Sequence, residues 1–178
     1  MQPKKYPTVL VNEFRDSAIE LGSLYGFNLS LENESHDPGQ YEQAEQSAFS
    51  ALISNKLSGF VGLVMSKQSL SASSPVSLNS ENDFLEWNKE LLNIYAGLLK
   101  MRLYKFSIEM VISLPNECKT EDFKTFEEGV GPILSMKLKA NDELLTTFLF
   151  SFSIGRNVSF EAEKEASKTH TPGSGIVF

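Results

Sequence analysis

One stretch decides how the chain folds: Asn82–Tyr104, NDFLEWNKELLNIYAGLLKMRLY. Its apolar residues recur with the spacing of an amphipathic helix, which turns about 100° per residue. We therefore predict a long helix whose core-facing side consists of Phe84, Leu85, Leu91, Leu92, Tyr95, Ala96, Leu99 and Leu103. The opposite side carries what we call the polar stripe: Glu86, Lys89, Glu90, Asn93, Gly97 and Lys100.

Gly97 is the unusual member of the polar stripe. A glycine in an exposed helix interior costs about 1 kcal/mol relative to alanine. Core packing does not require it on the outward side of the helix. Either another molecule approaches the helix backbone at Gly97, or glycine is simply tolerated there, and the helix pattern favours neither interpretation.

Glu90 and Asn93 lie one helical turn apart on the polar stripe. The carboxylate can pair with a cation or accept a proton, and the amide offers both a donor and an acceptor. Two such groups can hold and orient a water molecule. The spacing Glu-x-x-Asn occurs by chance in many helices, so it does not define a function alone.

The wider pattern is Glu90-Leu-Leu-Asn93-x-x-Ala96-Gly97-x-x-Lys100-x-x-Leu103, followed by an apolar alternation and Pro115. It resembles the signature of the CheX-like chemotaxis phosphatases, whose relatives are the CheC and FliY proteins. The resemblance implies a phosphatase that removes the aspartyl phosphate of a CheY-type response regulator in two-component signalling. Glu90 would pair with the regulator's active-site lysine, and Asn93 would position the attacking water.

The same resemblance implies that this chain binds no cofactor, because the regulator supplies Mg²⁺, and that two copies form a homodimer. The alternative is a non-catalytic docking or adaptor module that uses the same helix face. Asn93 discriminates the two, since only the enzyme needs its amide at the phosphate. A departure bears on both interpretations: Leu98 follows Gly97 where relatives often carry a polar residue.

Four further residues of the helix are candidates for partner binding. Glu86 and Lys100 extend the stripe at its two ends, or are ordinary solvated charges, with Glu86 paired to Lys89. Trp87 flanks the stripe, as does Met101, and aromatic residues and Met are enriched at interfaces; burial at the shoulder of the helix is the alternative. Gly97 joins this group if a partner approaches its backbone.

Composition limits the class of protein. The chain has 178 residues, 41% hydrophobic content, a formal net charge of -7 and a pI near 4.9. It shows no basic patch for nucleic acid, and its acidity disfavours anionic membranes. No apolar run could span a bilayer and no signal peptide is evident, so we expect a cytoplasmic protein. One cysteine and two histidines in polar segments exclude an internal disulfide and give no metal motif.

The remaining pattern predicts an α+β fold with two long helices on a largely antiparallel sheet of about six strands. The other helix is predicted over Thr8–Tyr25, ended by Gly26. Strands are predicted around these residues: 27–32, 47–54, 59–67, 106–113, 134–139 and 148–154. The serine-rich segment 68–80 is predicted as a loop.

The order, helix and three strands followed by helix and three strands, indicates a degenerate duplication. Aligning Leu24-Tyr25-Gly26-Phe27 with Leu103-Tyr104-Lys105-Phe106 places Asn93 opposite Phe14, so the first helix has no second Glu-x-x-Asn. We predict one domain over residues 1–154, and a mobile tail over 155–178.

Overall fold

A computed structural model describes residues 6–35, 46–119, 122, 125, 128–140, 144–156 and 158–161, with residues 144 and 145 described by their backbone only. The elements in chain order are α1 (Thr8–Leu24), β1 (Ser30–Ser35), β2 (Gln46–Ile53), β3 (Leu57–Met65), α2 (Lys67–Ser73), α3 (Glu81–Tyr104), β4 (Val111–Ile112), β5 (Asn116–Glu117), β6 (Leu134–Ala140) and β7 (Leu144–Ile154). Both predicted long helices are present, and the α+β class is confirmed.

The described strands form one seven-stranded sheet in the order β1-β6-β7-β3-β2-β4, with β5 also pairing with β2. All of these pairings are antiparallel. If β1, β2 and β3 are exchanged with β4, β6 and β7, respectively, the strand order becomes β4-β2-β3-β7-β6-β1. This is the original order read backwards. This is the symmetry that a duplicated helix-and-three-strand unit produces, and it supports the predicted duplication.

Burial corrects the residue alignment of the two halves by one position. The buried positions of α1 match the buried positions of α3 when the residues are paired as follows: Leu10 with Asn88, Phe14 with Leu92, Ala18 with Ala96 and Leu21 with Leu99. On this alignment Asn12 and Arg15 of α1 fall opposite Glu90 and Asn93. The conclusion that α1 lacks a second Glu-x-x-Asn is unchanged.

Both long helices pack on one face of the sheet, where the main core lies. The Phe14 ring of α1 stacks on Phe150 of β7, with ring centroids 3.9 Å apart. Tyr95 of α3 is fully buried beside Phe148, with centroids 4.7 Å apart. A smaller apolar cluster covers the other face and includes Phe60, Val64, Cys118, Ile133 and Leu149.

The ends of α1 and α3 follow from local chemistry. Ser80 caps α3, because its hydroxyl accepts from the Asp83 N–H at 3.2 Å and the Asp83 carboxylate accepts from the Ser80 N–H at 2.9 Å. Hydrogen bonds to the Asp83 carboxylate, first from the Asn79 N–H and then from the side chain and the N–H of Ser80, lower the pKa of Asp83. Gly26 follows α1 with a φ of 77°, which a glycine adopts readily, and so ends that helix as predicted.

Three sequence predictions need correction. Part of the predicted serine-rich loop is the short helix α2, capped by the Ser66 hydroxyl and held by the buried Leu70. The strand predicted at 106–113 pairs only over Val111–Ile112. Strand β1 begins at Ser30, because Leu29 instead packs on α1 at Gly22, where an added Cβ would lie 2.4 Å from the leucine.

Packing continues beyond Ile154, where the predicted tail begins. Val158 and Phe160 contact the main core, and the Phe160 ring meets Phe106 edge-on with centroids 5.8 Å apart. The rest of the predicted tail lies outside the described residues. None of the described helices has the length and apolar character needed to cross a membrane.

Candidate functional site

The polar stripe of α3 faces away from the sheet. Glu86, Glu90, Asn93 and Lys100 are exposed, and Gly97 is partly exposed. Helix α3 is continuous over 24 residues, and its core side is anchored by buried leucines and Tyr95. It therefore presents the predicted polar groups on one solvent-facing line.

Within this line Glu90 and Asn93 are unpaired. Neither side chain makes a hydrogen bond or an ion pair with any residue that the structure describes. Glu86 differs, because its carboxylate accepts from the Lys89 ammonium at 2.9 Å, as one interpretation of the sequence expected. Glu90 and Asn93 thus offer an unpaired carboxylate and a free amide, one helical turn apart, to another molecule.

Gly97 has no packing role in the described structure. A Cβ added there would meet no heavy atom within 4 Å outside its own helix neighbourhood. Glycine lowers helix stability at such a position without any gain from internal contacts. The open space over its backbone agrees with the interpretation that something approaches the helix one turn beyond Asn93.

Trp87 lies at the side of the stripe and is half-buried. Its indole N–H donates to the Ser73 hydroxyl at 2.9 Å, which ties α3 to the end of α2. Its ring meets the Tyr25 ring edge-on, with centroids 5.5 Å apart and planes at 89°. Trp87 is therefore held in a fixed orientation next to Glu90.

Tyr25 is a neighbour of the site that sequence reasoning missed. It follows the last residue of α1, far from α3 in the sequence, and it is only partly buried. Burial and then the negative charge of Glu90 raise the pKa of the Tyr25 phenol.

Asn88, on the core side of α3, was also missed. It is fully buried, and its amide donates to the Leu63 carbonyl of β3 at 3.4 Å, whereas its side-chain oxygen has no partner in the described structure. A buried amide needs a hydrogen-bond partner, so it favours the rotation of the helix about its axis that brings Asn88 to the Leu63 carbonyl. Asn88 thereby helps to aim the polar stripe outward.

At the other end of the stripe the surface becomes apolar. Met101 and Tyr104 are each 65% exposed, and Val111 is 71% exposed. Together with Lys100 they line a shallow groove between α3 and the edge strand β4. Met101 is therefore available to a partner. The alternative interpretation, that it is buried at the edge of the apolar side of the helix, is wrong.

The remaining candidate groups do not join this site. Cys118 is 4% exposed, and burial and then the charge of Asp122 raise the pKa of its thiol to about 12. A thiol that stays protonated at neutral pH is a poor nucleophile. His36 and His170 lie outside the described residues. Among the residues that are described, no three His, Cys, Asp or Glu side chains cluster as metal ligands.

The architecture matches that of solved chemotaxis proteins. The chain superimposes on the chemotaxis protein CheX from Vibrio vulnificus with a TM-score of 0.62 at 14% identity, covering 81% of this chain and 99% of that one. A CheC-like superfamily protein from Shewanella sp. PV-4 gives a TM-score of 0.63 at 13% identity, with 83% and 99% covered. The chain therefore has the fold of the CheX and CheC-like proteins, as the sequence resemblance implied.

One similar structure includes a partner. The CheX-CheY-BeF3-Mg2+ complex from Borrelia burgdorferi contains a chain that matches with a TM-score of 0.63 at 14% identity, covering 80% of this chain and 97% of that one. No protein-family model matches the sequence. No curated protein matches it either. At sequence identities of 13–14%, these comparisons show that the chain shares the fold of the three proteins.

Proposed function

We propose that this chain is a cytoplasmic phosphatase that hydrolyses the aspartyl phosphate of a CheY-type response regulator. The observation that carries the proposal is that Glu90 and Asn93 lie one turn apart on the exposed side of α3 and have no partner among the described residues. The fold supports it, because proteins of the same fold are CheX and CheC-like chemotaxis proteins. One of them is solved in a complex with CheY.

The reaction needs little from the phosphatase. An aspartyl phosphate is a reactive acyl phosphate, and water attacks its phosphorus while the bond to the aspartyl oxygen breaks. The products are inorganic phosphate and the free aspartate. The Mg²⁺ and the lysine that stabilise charge on the phosphoryl group belong to the regulator, so the missing component is an oriented water.

Asn93 is suited to supply that orientation. Its amide carries both a donor and an acceptor, so it can hold the water and aim a lone pair at phosphorus. Placing a nucleophile in the reactive geometry can contribute about 7–11 kcal/mol in favourable intramolecular systems. A single amide acting on one water would supply a fraction of this.

Glu90 would dock the regulator by pairing with its active-site lysine. The carboxylate has no cation partner in the described chain, so pairing does not require an existing ion pair to break. Gly97, one turn beyond Asn93, would let the regulator's backbone or side chains come close to α3. Lys100 and Glu86 would lie at the two ends of this contact.

The test is the rate of phosphate loss from a phosphorylated CheY-type regulator of the same organism, with and without this chain. Acceleration by the wild type, lost in Asn93→Ala with binding retained, supports catalysis. Binding to the phosphorylated regulator without acceleration would instead support the docking or adaptor module. Glu86→Gln is a useful comparison, because Glu86 is already paired with Lys89.

We also propose that two copies of the chain associate. The support for this proposal is the resemblance to the CheX-like proteins, which implies a homodimer. Light scattering after gel filtration tests this, because the monomer has a mass of 19.8 kDa. A mass about twice that supports the dimer, and a mass equal to it contradicts the proposal.

A further inference from the structure

The groove between the last turns of α3 and the strand β4 is an apolar surface large enough to hold another segment of chain. Its volume is about 480 Å³. Clefts of about 300–1,000 Å³ can bury a drug-sized ligand, so this groove has room for two or three side chains. It is lined mainly by apolar residues together with two charged ones: Lys100, Met101, Tyr104, Ile108, Glu109, Met110 and Val111.

The apolar surface extends past the groove along the same edge of the sheet. Ile53, which lies opposite Val111 in the pairing of β2 with β4, is exposed, and so is Leu114 shortly after β4. Single exposed apolar residues are ordinary, but several close together mark a surface that another segment or molecule covers.

The described part of the chain ends beside this groove. The Phe160 ring packs edge-on against Phe106, with centroids 5.8 Å apart, and Glu161 is the last residue that the structure describes. Phe106 precedes the groove residue Ile108 by two positions, so their Cα atoms lie at most about 7 Å apart. The segment that follows Glu161 therefore starts close to the groove.

The sequence of that segment has the composition of a tether with an apolar anchor. Residues 162–175 carry no large apolar side chain, and Ile176-Val177-Phe178 follow without interruption. The polar part gains little from burial, whereas the apolar part gains much. The two β-branched residues favour an extended chain, in which the side chains of Ile176 and Phe178 point to the same side. Both can therefore enter one groove.

The tether is long enough to bring the anchor to the groove. A flexible chain with the fourteen residues of 162–175 has a root-mean-square end-to-end distance of about 20 Å. The helical side of the groove, from Lys100 to Tyr104, is only about 6 Å long. Such a tether holds the anchor at a millimolar local concentration, so even a contact with a millimolar Kd is occupied about half of the time.

We propose that Ile176-Val177-Phe178 docks in this groove, as an apolar anchor on the surface of its own chain. The Phe178 ring would contact the Met101 sulfur and the Tyr104 ring, which are both favourable partners for an aromatic side chain. Docking of the anchor does not depend on the proposed function, because no regulator takes part in it.

A spin label on the tether tests the docking in the full chain. Ser174→Cys provides the attachment point, since the natural Cys118 is buried. The paramagnetic label should remove the amide signals of Met101 and Val111, and chemical reduction of the label should restore them. The signal of Val76 should persist, because Val76 precedes α3, whose length places Met101 about 30 Å from the start of the helix.

Variants on both sides of the contact sharpen the test. Phe178→Ser should restore the Met101 signal in the spin-labelled chain, because loss of a large apolar side chain weakens such a contact about tenfold or more. Val111→Ser should also restore it in part. Val76→Ser, at a valine about as exposed as Val111, is the matched control and should leave the signal loss unchanged. Thermal unfolding shows that each variant is folded, and a loss that persists in Phe178→Ser overturns the docking.

A mixture of two samples identifies the occupant of the groove. Spin-labelled chain without isotope is mixed with ¹⁵N-labelled chain that carries no spin label. Groove signals that persist in the mixture, although they are lost within a doubly labelled chain, support docking within one chain. Loss of the groove signals in the mixture would mean that a second copy supplies the segment, and would overturn docking within one chain. No loss in either sample would overturn the segment as the occupant.

Docking would have a consequence for partner binding, and this consequence rests on the proposed function. The groove includes Lys100, the last residue of the polar stripe, so the docked anchor would cover that end of the surface. An anchor that is docked about half of the time would halve the apparent affinity, so Phe178→Ser should bind the activated regulator about twofold more tightly than wild type. Equal affinities, with docking shown by the spin label, would overturn this consequence alone. If no regulator binds to either protein, the proposed function is overturned and the docking stands on the spin-label result.

Discussion

Tyr25, just after α1, and Glu90 of α3 interact electrostatically. Burial raises the pKa of the Tyr25 phenol most, and the negative charge of Glu90 raises it further. The coupling joins the two halves of the duplicated fold at the surface where the Glu90 carboxylate and the Asn93 amide stand unpaired. It can be measured without any partner protein.

Removing the charge of Glu90 is expected to lower the pKa of Tyr25 toward its ordinary value of 10.0. Phenolate absorbance at alkaline pH, taken as the difference between each protein and its Tyr25→Phe counterpart, reports this one tyrosine. Glu90→Gln should shift the difference curve to lower pH, and Glu86→Gln should not. An unchanged curve in Glu90→Gln would show that the two groups are not close in solution.

The same shift has a consequence for stability. A raised pKa in the folded chain means that the phenol contributes stability below pH 10.0, and that this contribution is lost as the pH rises further. The unfolding free energy of wild type should therefore fall relative to that of Tyr25→Phe as the pH rises above 10.0. Denaturant titrations on either side of it make the comparison.

Replacing Gly97 by alanine is expected to separate stability from binding. The substitution should raise the free energy of unfolding by about 1 kcal/mol, because an added Cβ meets nothing and alanine favours the helix. If a regulator approaches this backbone, the same methyl group should weaken its binding. Chemical denaturation measures the free energy of unfolding, and a binding titration measures the affinity for the regulator.

Gly59→Ala is the matched control for that substitution. A Cβ at Gly59 would lie 2.0 Å from the Ser151 carbonyl oxygen on β7, so the variant should lose stability. A Gly97→Ala protein that is destabilised would contradict the described packing of α3. One that is stabilised and binds normally would remove Gly97 from the partner surface.

Glu13 is expected to anchor α1 to the end of α3. Its side chain is 8% exposed, and it pairs with Lys105 and with Arg102. Glu13→Ala should cost about 2 kcal/mol of unfolding free energy, because it removes the carboxylate that pairs with Lys105 and leaves a gap in a buried position. Urea unfolding measures the loss.

Glu20 serves as the comparison. It pairs with the same Arg102 at 2.7 Å but is 43% exposed, so Glu20→Ala should cost less than about 1 kcal/mol. Equal losses in the two variants would mean that burial does not set the strength of these ion pairs.

The parts of the fold that sequence predicted well are those with strong local signals. Helix α3 has a sustained apolar period, and β2 and β3 coincide closely with two of the predicted strands. Segment 106–113 shows why alternation alone is insufficient. Phe106, Ile108 and Met110 are buried by packing, yet only Val111–Ile112 finds a strand partner.

Helix α2 was missed because serine is a weak helix former and its run looked like a loop. What stabilises it is tertiary: Leu70 is fully buried and the Ser66 hydroxyl caps its first turn. Its place beside Trp87 matters for the site, because Ser73 accepts the indole N–H.

The polar stripe could be predicted because helical period alone decides which residues face outward. The contact of Tyr25 with Trp87 could not be, because it depends on how α1 and α3 cross on the sheet. Asn88 shows the same limit, since a polar residue in the sequence gave no sign that it would be buried against Leu63. Sequence therefore located the helix face, and the fold supplied its neighbours.

The most direct test of the central claim is the half-life of a phosphorylated CheY-type regulator in the presence of wild-type chain and of Asn93→Ala. We predict a shortened half-life with wild type and the regulator's own decay rate with Asn93→Ala, although both proteins bind the activated regulator. An Asn93→Ala protein that accelerates phosphate loss as much as wild type would contradict the assignment of water positioning to Asn93.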